Sequence, residues 1–131
     1  MFQEEERSFT TEHDAKTILV VADDTDNQRV YTEILPPYHV RVVRNGPEAL
    51  HFVTQIKPNL LILDYRLFGM NGIHLYDQLN ATPGLEHIPA IIISSSTSQE
   101  AVHAIESRHL LHVMKPFYLD KLLDTIQQAF A

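Results

Sequence analysis

The chain has 131 residues, close to the roughly 150 typical of one compact domain, so a second fused catalytic or DNA-binding module finds no room within it. A hydrophobic share of 44% and a charged share of 21% describe a packed globular domain rather than a disordered or membrane-embedded one. Ten Lys and Arg against seventeen Asp and Glu leave a net charge of −7, which disfavours direct nucleic-acid and anionic-membrane partners.

The chain contains no cysteine, which excludes disulfides, thiolate zinc sites and a cysteine nucleophile, and fits a reducing, cytoplasmic setting. No stretch approaches the roughly 20 apolar residues of a membrane span. The start, Met1 to Glu6, lacks the basic and apolar regions of a signal peptide. Residues 1–15 carry Glu4, Glu5, Glu6, Glu12 and Asp14 and little apolar periodicity, so they are expected to form an acidic, flexible extension ahead of a domain over 16–131.

From Lys16 onward, short apolar runs alternate with helical patterns. Ile18–Val21 is the first run, and Val30, Tyr31, Ile34 and Leu35 after Asp26 and Asn27 predict a first helix over about 26–35, stopped by Pro36-Pro37. Val40–Val43 follows, then a second helix carrying Ala49, Leu50, Val53 and Ile56 behind Gly46-Pro47. Leu60–Leu63 precedes a third helix through Ile73, Tyr76 and Leu79, ended at Thr82-Pro83-Gly84. After Ala90–Ile93, Thr97 and Glu100 form a capping box for a short fourth helix. Leu110–Met114 is the fifth run, and Leu119, Leu122, Leu123, Ile126 and Phe130 make one apolar stripe on a terminal helix. Five nearly continuous Ile, Val and Leu runs separated by helices predict an α/β fold with a parallel sheet buried on both faces.

In such a sheet, function belongs at the carboxyl ends of the strands, and the polar residues collect there. The first run ends in Asp23-Asp24, the third in Asp64, the fourth in Ser94-Ser95-Ser96 and the fifth in Lys115-Pro116. Crowded carboxylates repel one another unless a cation lies between them, and oxygen donors select a hard ion such as Mg²⁺. A lysine and a hydroxyl across the same mouth suit a phosphoryl group. His109 and His112, read as strand neighbours facing opposite ways, do not make a zinc site.

The ordered set of Lys16–Val21, Asp23 with Asp26-Asn27, Asn45–Leu50, Leu63–Gly72, Ile88-Pro89 to Ser94, and Lys115-Pro116-Phe117 resembles the receiver domain family of response regulators over residues 16–131. The resemblance implies a flavodoxin-like, doubly wound sheet of five parallel strands in the order 2-1-3-4-5, with five helices. It implies that Asp64 accepts a phosphoryl group from a histidine kinase or a histidine phosphotransfer protein, becoming an aspartyl phosphate, in a signalling domain rather than an enzyme. Asp23, Asp64 and the backbone carbonyl of Arg66 would hold Mg²⁺. Lys115 and Ser94 would contact the phosphoryl oxygens, with Asp24, Ser95 and Pro116 in support and a Lys115-Pro116 bond that is often cis in the family. His112 stands where the family places its switch aromatic. The output would pass to a downstream protein effector or detached output domain, and a second copy of the chain could meet the face of helix four, strand five and helix five.

Three positions depart from the family pattern. Ala22 occupies the place of the first of two acids. Taking Asp23-Asp24 as that pair would slip the apolar stripe of helix one by one residue and lose the match at Asn27. Phe68 stands where proline is common, a change expected to alter only the loop, and His112 replaces a tyrosine or phenylalanine. Ala22 leaves open a pseudo-receiver that works through protein contacts without phosphate. A phosphohydrolase would want an acid where Arg66 stands, and a flavin site would want a phosphate-cradling loop where Asp23 and Asp24 stand.

Overall fold

The computed structural model of the chain describes residues 15–34, 37–95 and 98–131. The chain runs β1 (Lys16–Val21), α1 (Thr25–Tyr31), β2 (Tyr38–Val43), α2 (Gly46–Phe52) and β3 (Leu60–Asp64). A hairpin of β4 (Arg66–Leu67) and β5 (Met70–Asn71) follows, then α3 (Gly72–Asn80), β6 (Ala90–Ser94), α4 (Gln99–Ser107), β7 (Leu111–Met114) and α5 (Leu119–Phe130). The five long strands form one parallel sheet in the order β2-β1-β3-β6-β7, with β4 and β5 paired apart from it. Apart from the hairpin, this is the expected 2-1-3-4-5 order. Its direction reverses between β1 and β3, which opens a crevice at their carboxyl ends.

Alternation along the strands splits the core in two. Ile18, Val20, Ala22, Leu60, Ile62, Ile91, Ile93 and Val113 face α1 and α5, packing on Tyr31, Ile34, Leu122 and Ile126. Leu19, Val21, Leu61, Leu63, Ala90 and Ile92 face the other helices, meeting Ala49, Phe52, Ile73, Leu75, Leu79 and Ile105. All five residues of β3 and all five of β6 are buried, which accounts for their unbroken apolar runs. The edge strand β2 instead exposes His39 and Arg41.

The element boundaries depart from expectation where local polar bonding competes with helix propagation. The first helix begins at Thr25, and beyond Tyr31 the amides of Thr32, Glu33 and Ile34 reach back only three residues, tightening the end. Leu35 and Pro36 lie outside the described residues. Asn45 caps α2 by accepting the Glu48 N–H at 2.8 Å, but the helix stops at Phe52. Thr54 Oγ1 there donates to the His51 carbonyl at 2.6 Å, leaving Ile56 beyond the helix and 43% exposed. Helix α4 is capped by Ser98, whose Oγ accepts the Ala101 N–H at 3.2 Å; the expected cap Thr97 lies outside the described residues, as do residues 1–14 of the acidic extension. His109 sits in a turn at φ 58° before β7 rather than on the strand. Arg108 locks α4 to α3 through a two-pronged ion pair, Nε to Asp77 Oδ1 at 2.8 Å and Nη2 to Oδ2 at 2.9 Å.

Candidate functional site

Asp64 ends β3 in register with Ile93 and is 2% exposed. The Tyr65 N–H donates to the Ile93 carbonyl at 2.8 Å, and the Gly72 N–H donates to the Tyr65 carbonyl at 2.8 Å, folding the hairpin back so that α3 starts beside Asp64. A Cβ on Gly72 would lie 2.3 Å from the Asp64 carbonyl oxygen, so only glycine permits that approach.

Lys115 reaches the same point from β7. Its N–H donates to the Ser94 carbonyl at 2.9 Å, the Lys115-Pro116 peptide is cis, and its Nζ stands 3.6 Å from Asp64 Oδ1. That separation is an ion pair rather than a hydrogen bond. Neither carboxylate oxygen of Asp64 has a hydrogen-bond partner among the described residues. Burial pushes the Asp64 carboxyl up to about 6; Lys115 opposes that shift, while Asp23 and, more weakly, Asp24 add to it.

Asp23 is exposed, and its Oδ2 accepts the backbone N–H of Phe68 at 3.1 Å. The departure at Phe68 is therefore not confined to the loop, because a proline there would have no N–H to hold Asp23. Asp24 is exposed and its carbonyl accepts the Gln28 N–H at 2.9 Å, opening α1. Ala22 is fully buried on the α1 side, its N–H donating to the Val43 carbonyl at 3.0 Å, and it brings no carboxylate to the site.

Asp23, Asp64 and Lys115 are thus gathered at one crevice, with Asp24 at its edge. Ser94, 3% exposed, ends β6 on the side of Ile92 and pairs with Met114. Arg66, Ser95 and Pro116 are exposed around the rim. His112 lies deeper along β7, in register with Ile92; its Nε2 is buried without a hydrogen-bond partner among the described residues, and burial lowers its pKa.

The donor set suits a hard cation. Two carboxylates and backbone oxygen match an ion that keeps several waters, and the unpartnered, buried Asp64 oxygens are what such an ion would satisfy. Among the described residues no three His, Cys, Asp or Glu side chains cluster as a metal cage.

The sequence model of the response regulator receiver domain matches residues 18–127. The chain belongs to the response regulator receiver domain family. It is 32% identical over 113 residues to the DNA-binding response regulator MtrA of Mycolicibacterium paratuberculosis, covering 84% of this chain and 49% of that protein. The chain therefore spans about half the length of that relative. The receiver fold recurs in the chemotaxis response regulator CheY4 of Vibrio cholerae, with a TM-score of 0.79 at 21% identity, covering 87% of this chain and 98% of that one. The Mn²⁺-bound form of response regulator Rcp1 superposes with a TM-score of 0.71 at 24% identity, covering 86% and 90%.

Within this receiver domain, sequence reasoning missed two features that shape the site. Gly72 was one letter in a motif; its role follows from the approach of α3 to Asp64. The Phe68 N–H was concealed because a side-chain reading overlooks the donor that any residue other than proline supplies.

Proposed function

We propose that this receiver domain takes a phosphoryl group onto Asp64 and relays its arrival to the α4–β7–α5 face. The observation that carries this reading is a carboxylate 2% exposed at the sheet's switch point, with both oxygens unpartnered and Lys115 Nζ 3.6 Å away. Such a group is shielded from competing donors and electrostatically prepared for a dianionic ligand.

An Asp64 oxygen attacks the phosphorus of a phosphohistidine on a histidine kinase or phosphotransfer protein. The P–O bond forms as the P–N bond breaks, and its electron pair leaves with the imidazole. Asp23, Asp64 and the Arg66 carbonyl would hold Mg²⁺, which would supply charge neutralisation to the transferring group. Lys115 pairs with a phosphoryl oxygen, and Ser94 turns its hydroxyl toward another. That turn changes the packing on the side of β6 where His112 lies, with Asp24, Ser95 and Pro116 bordering the crevice. The domain is a signalling phosphoacceptor, not an enzyme acting on other substrates.

Among the described residues no helix is long and apolar enough to cross a membrane, and the net charge of −7 favours a protein effector or separate output domain over direct nucleic-acid contact. A cytoplasmic setting and the 16–131 domain boundary belong to the same reading. Incubation with acetyl phosphate tests it by intact mass: one phosphoryl group is expected with Mg²⁺ and almost none with EDTA. No uptake under either condition would contradict the reading.

A further inference from the structure

Strand β2 closes one side of the sheet, and only its inner edge is paired. The Val43 carbonyl accepts the Ala22 N–H at 3.0 Å, so strand alternation turns the N–H and C=O groups of His39, Arg41 and Val43 toward β1 and those of Val40, Val42 and Arg44 outward. Glu48 Oε1 accepts the outward N–H of Arg44 at 2.9 Å, whereas the outward groups of Val40 and Val42 bond to none of the described residues. The strand is six residues long, pairs without a bulge and contains no proline. Apart from His39 and Arg41 it lacks the devices that usually blunt an exposed edge.

A groove of about 580 Å³ lies between β2 and α2, with Val43, Phe52 and Ile56 among its lining residues. Glu48, the one carboxylate on its wall, is turned to the Arg44 amide. The Arg41 guanidinium lies over the Phe52 ring, 5.5 Å from its centroid, and ion-pairs with no carboxylate among the described residues. Residues 38–58 carry Arg41, Arg44 and Lys57 against Glu48 alone, a net +2 within a chain of −7. An acidic partner therefore suits this edge, and a second copy of the chain, which would set two basic segments side by side, does not.

We propose that the outer edge of β2 takes an extended, acidic protein segment as a sixth strand. The backbone of that segment bonds the free N–H and C=O groups of Val40 and Val42, an apolar side chain enters the groove over Phe52 and Ile56, and a carboxylate on the same side pairs with Arg41. The groove shares no residue with the Asp64 crevice, so this docking does not depend on phosphoryl transfer.

The blocked octapeptide Thr-Glu-Val-Phe-Val-Glu-Val-Thr puts Glu, Phe and Glu on one side of a strand. Labelled with fluorescein and titrated with the whole chain, it should bind saturably, with a Kd below about 1 mM. Arg41→Glu should weaken binding about tenfold, and serine in place of the peptide's phenylalanine by about the same factor. N-methylation of alternate peptide amides separates edge pairing from adhesion to an apolar surface: one of the two alternate sets should abolish binding, and the other should leave it within about twofold. No saturable binding, an unchanged Kd in Arg41→Glu, or equal effects of the two methylated sets would overturn the proposal. Sedimentation of the free chain covers the remaining occupant: a dimer that the octapeptide splits would give the edge to a second copy and overturn the proposal as well.

Discussion

Asp64 holds a carboxyl pushed up to about 6 by burial, against an unfolded value near 3.9, so the folded domain binds its proton more tightly than the unfolded chain does. Stability from this group is highest at low pH and is lost as pH rises from about 4 through about 6. In EDTA, Asp64→Asn should therefore be more stable than the wild type at pH 7.5, by about 2–3 kcal/mol, with the gap closing below pH 4. Urea unfolding of both proteins at the two pH values checks this, and a gap that persists at low pH would contradict it. At Phe68 the backbone donor matters and the ring does not: Phe68→Pro should cost about 1 kcal/mol and Phe68→Ala under 0.5, read from urea midpoints. Asp23, Asp64 and Lys115 were legible from sequence because each terminates an apolar run. The Phe68 amide and the Gly72 contact were not, because each depends on how close two distant segments come.

At the scale of elements, β3 and β6 were the most legible, since burial on both faces leaves little but Ile, Leu and Ala in them. Helix ends were less so: α2 stops where Thr54 turns its hydroxyl to the backbone, and the cap of α4 is Ser98. The β4–β5 hairpin was not foreseen, because its two-residue strands carry no periodicity. The junction of β3 with α3 is the most constrained of these elements. Gly72→Ala must separate α3 from the Asp64 carbonyl, now only 2.3 Å from the added carbon, and is expected to cost about 2–3 kcal/mol and slow labelling at Asp64. Thermal unfolding and acetyl phosphate labelling together check it; an Ala variant of wild-type stability would contradict the contact.

At the scale of the molecule, the parallel sheet followed from alternating runs and helices, its strand order from the family resemblance, and the site from the polar residues at the strands' carboxyl ends. The relay proposed from that site would run along β6 and β7, where Lys115 is tied to the Ser94 carbonyl and His112 lies on the Ile92 row. With beryllofluoride as a phosphoryl mimic, amide exchange should slow at the Asp64 crevice and change across α4, β7 and α5. Ser94→Ala should keep the first effect and lose most of the second, whereas equal changes in both proteins would take Ser94 out of the relay.

The claim on which all of this turns is that Asp64 carries the phosphoryl group. Borohydride reduces an aspartyl phosphate to homoserine, so reduction after acetyl phosphate treatment, followed by peptide mass spectrometry, reads the position directly. Homoserine is expected at residue 64 alone, and none in Asp64→Asn. Homoserine at residue 23 or 24, or undiminished reduction in Asp64→Asn, would contradict the account.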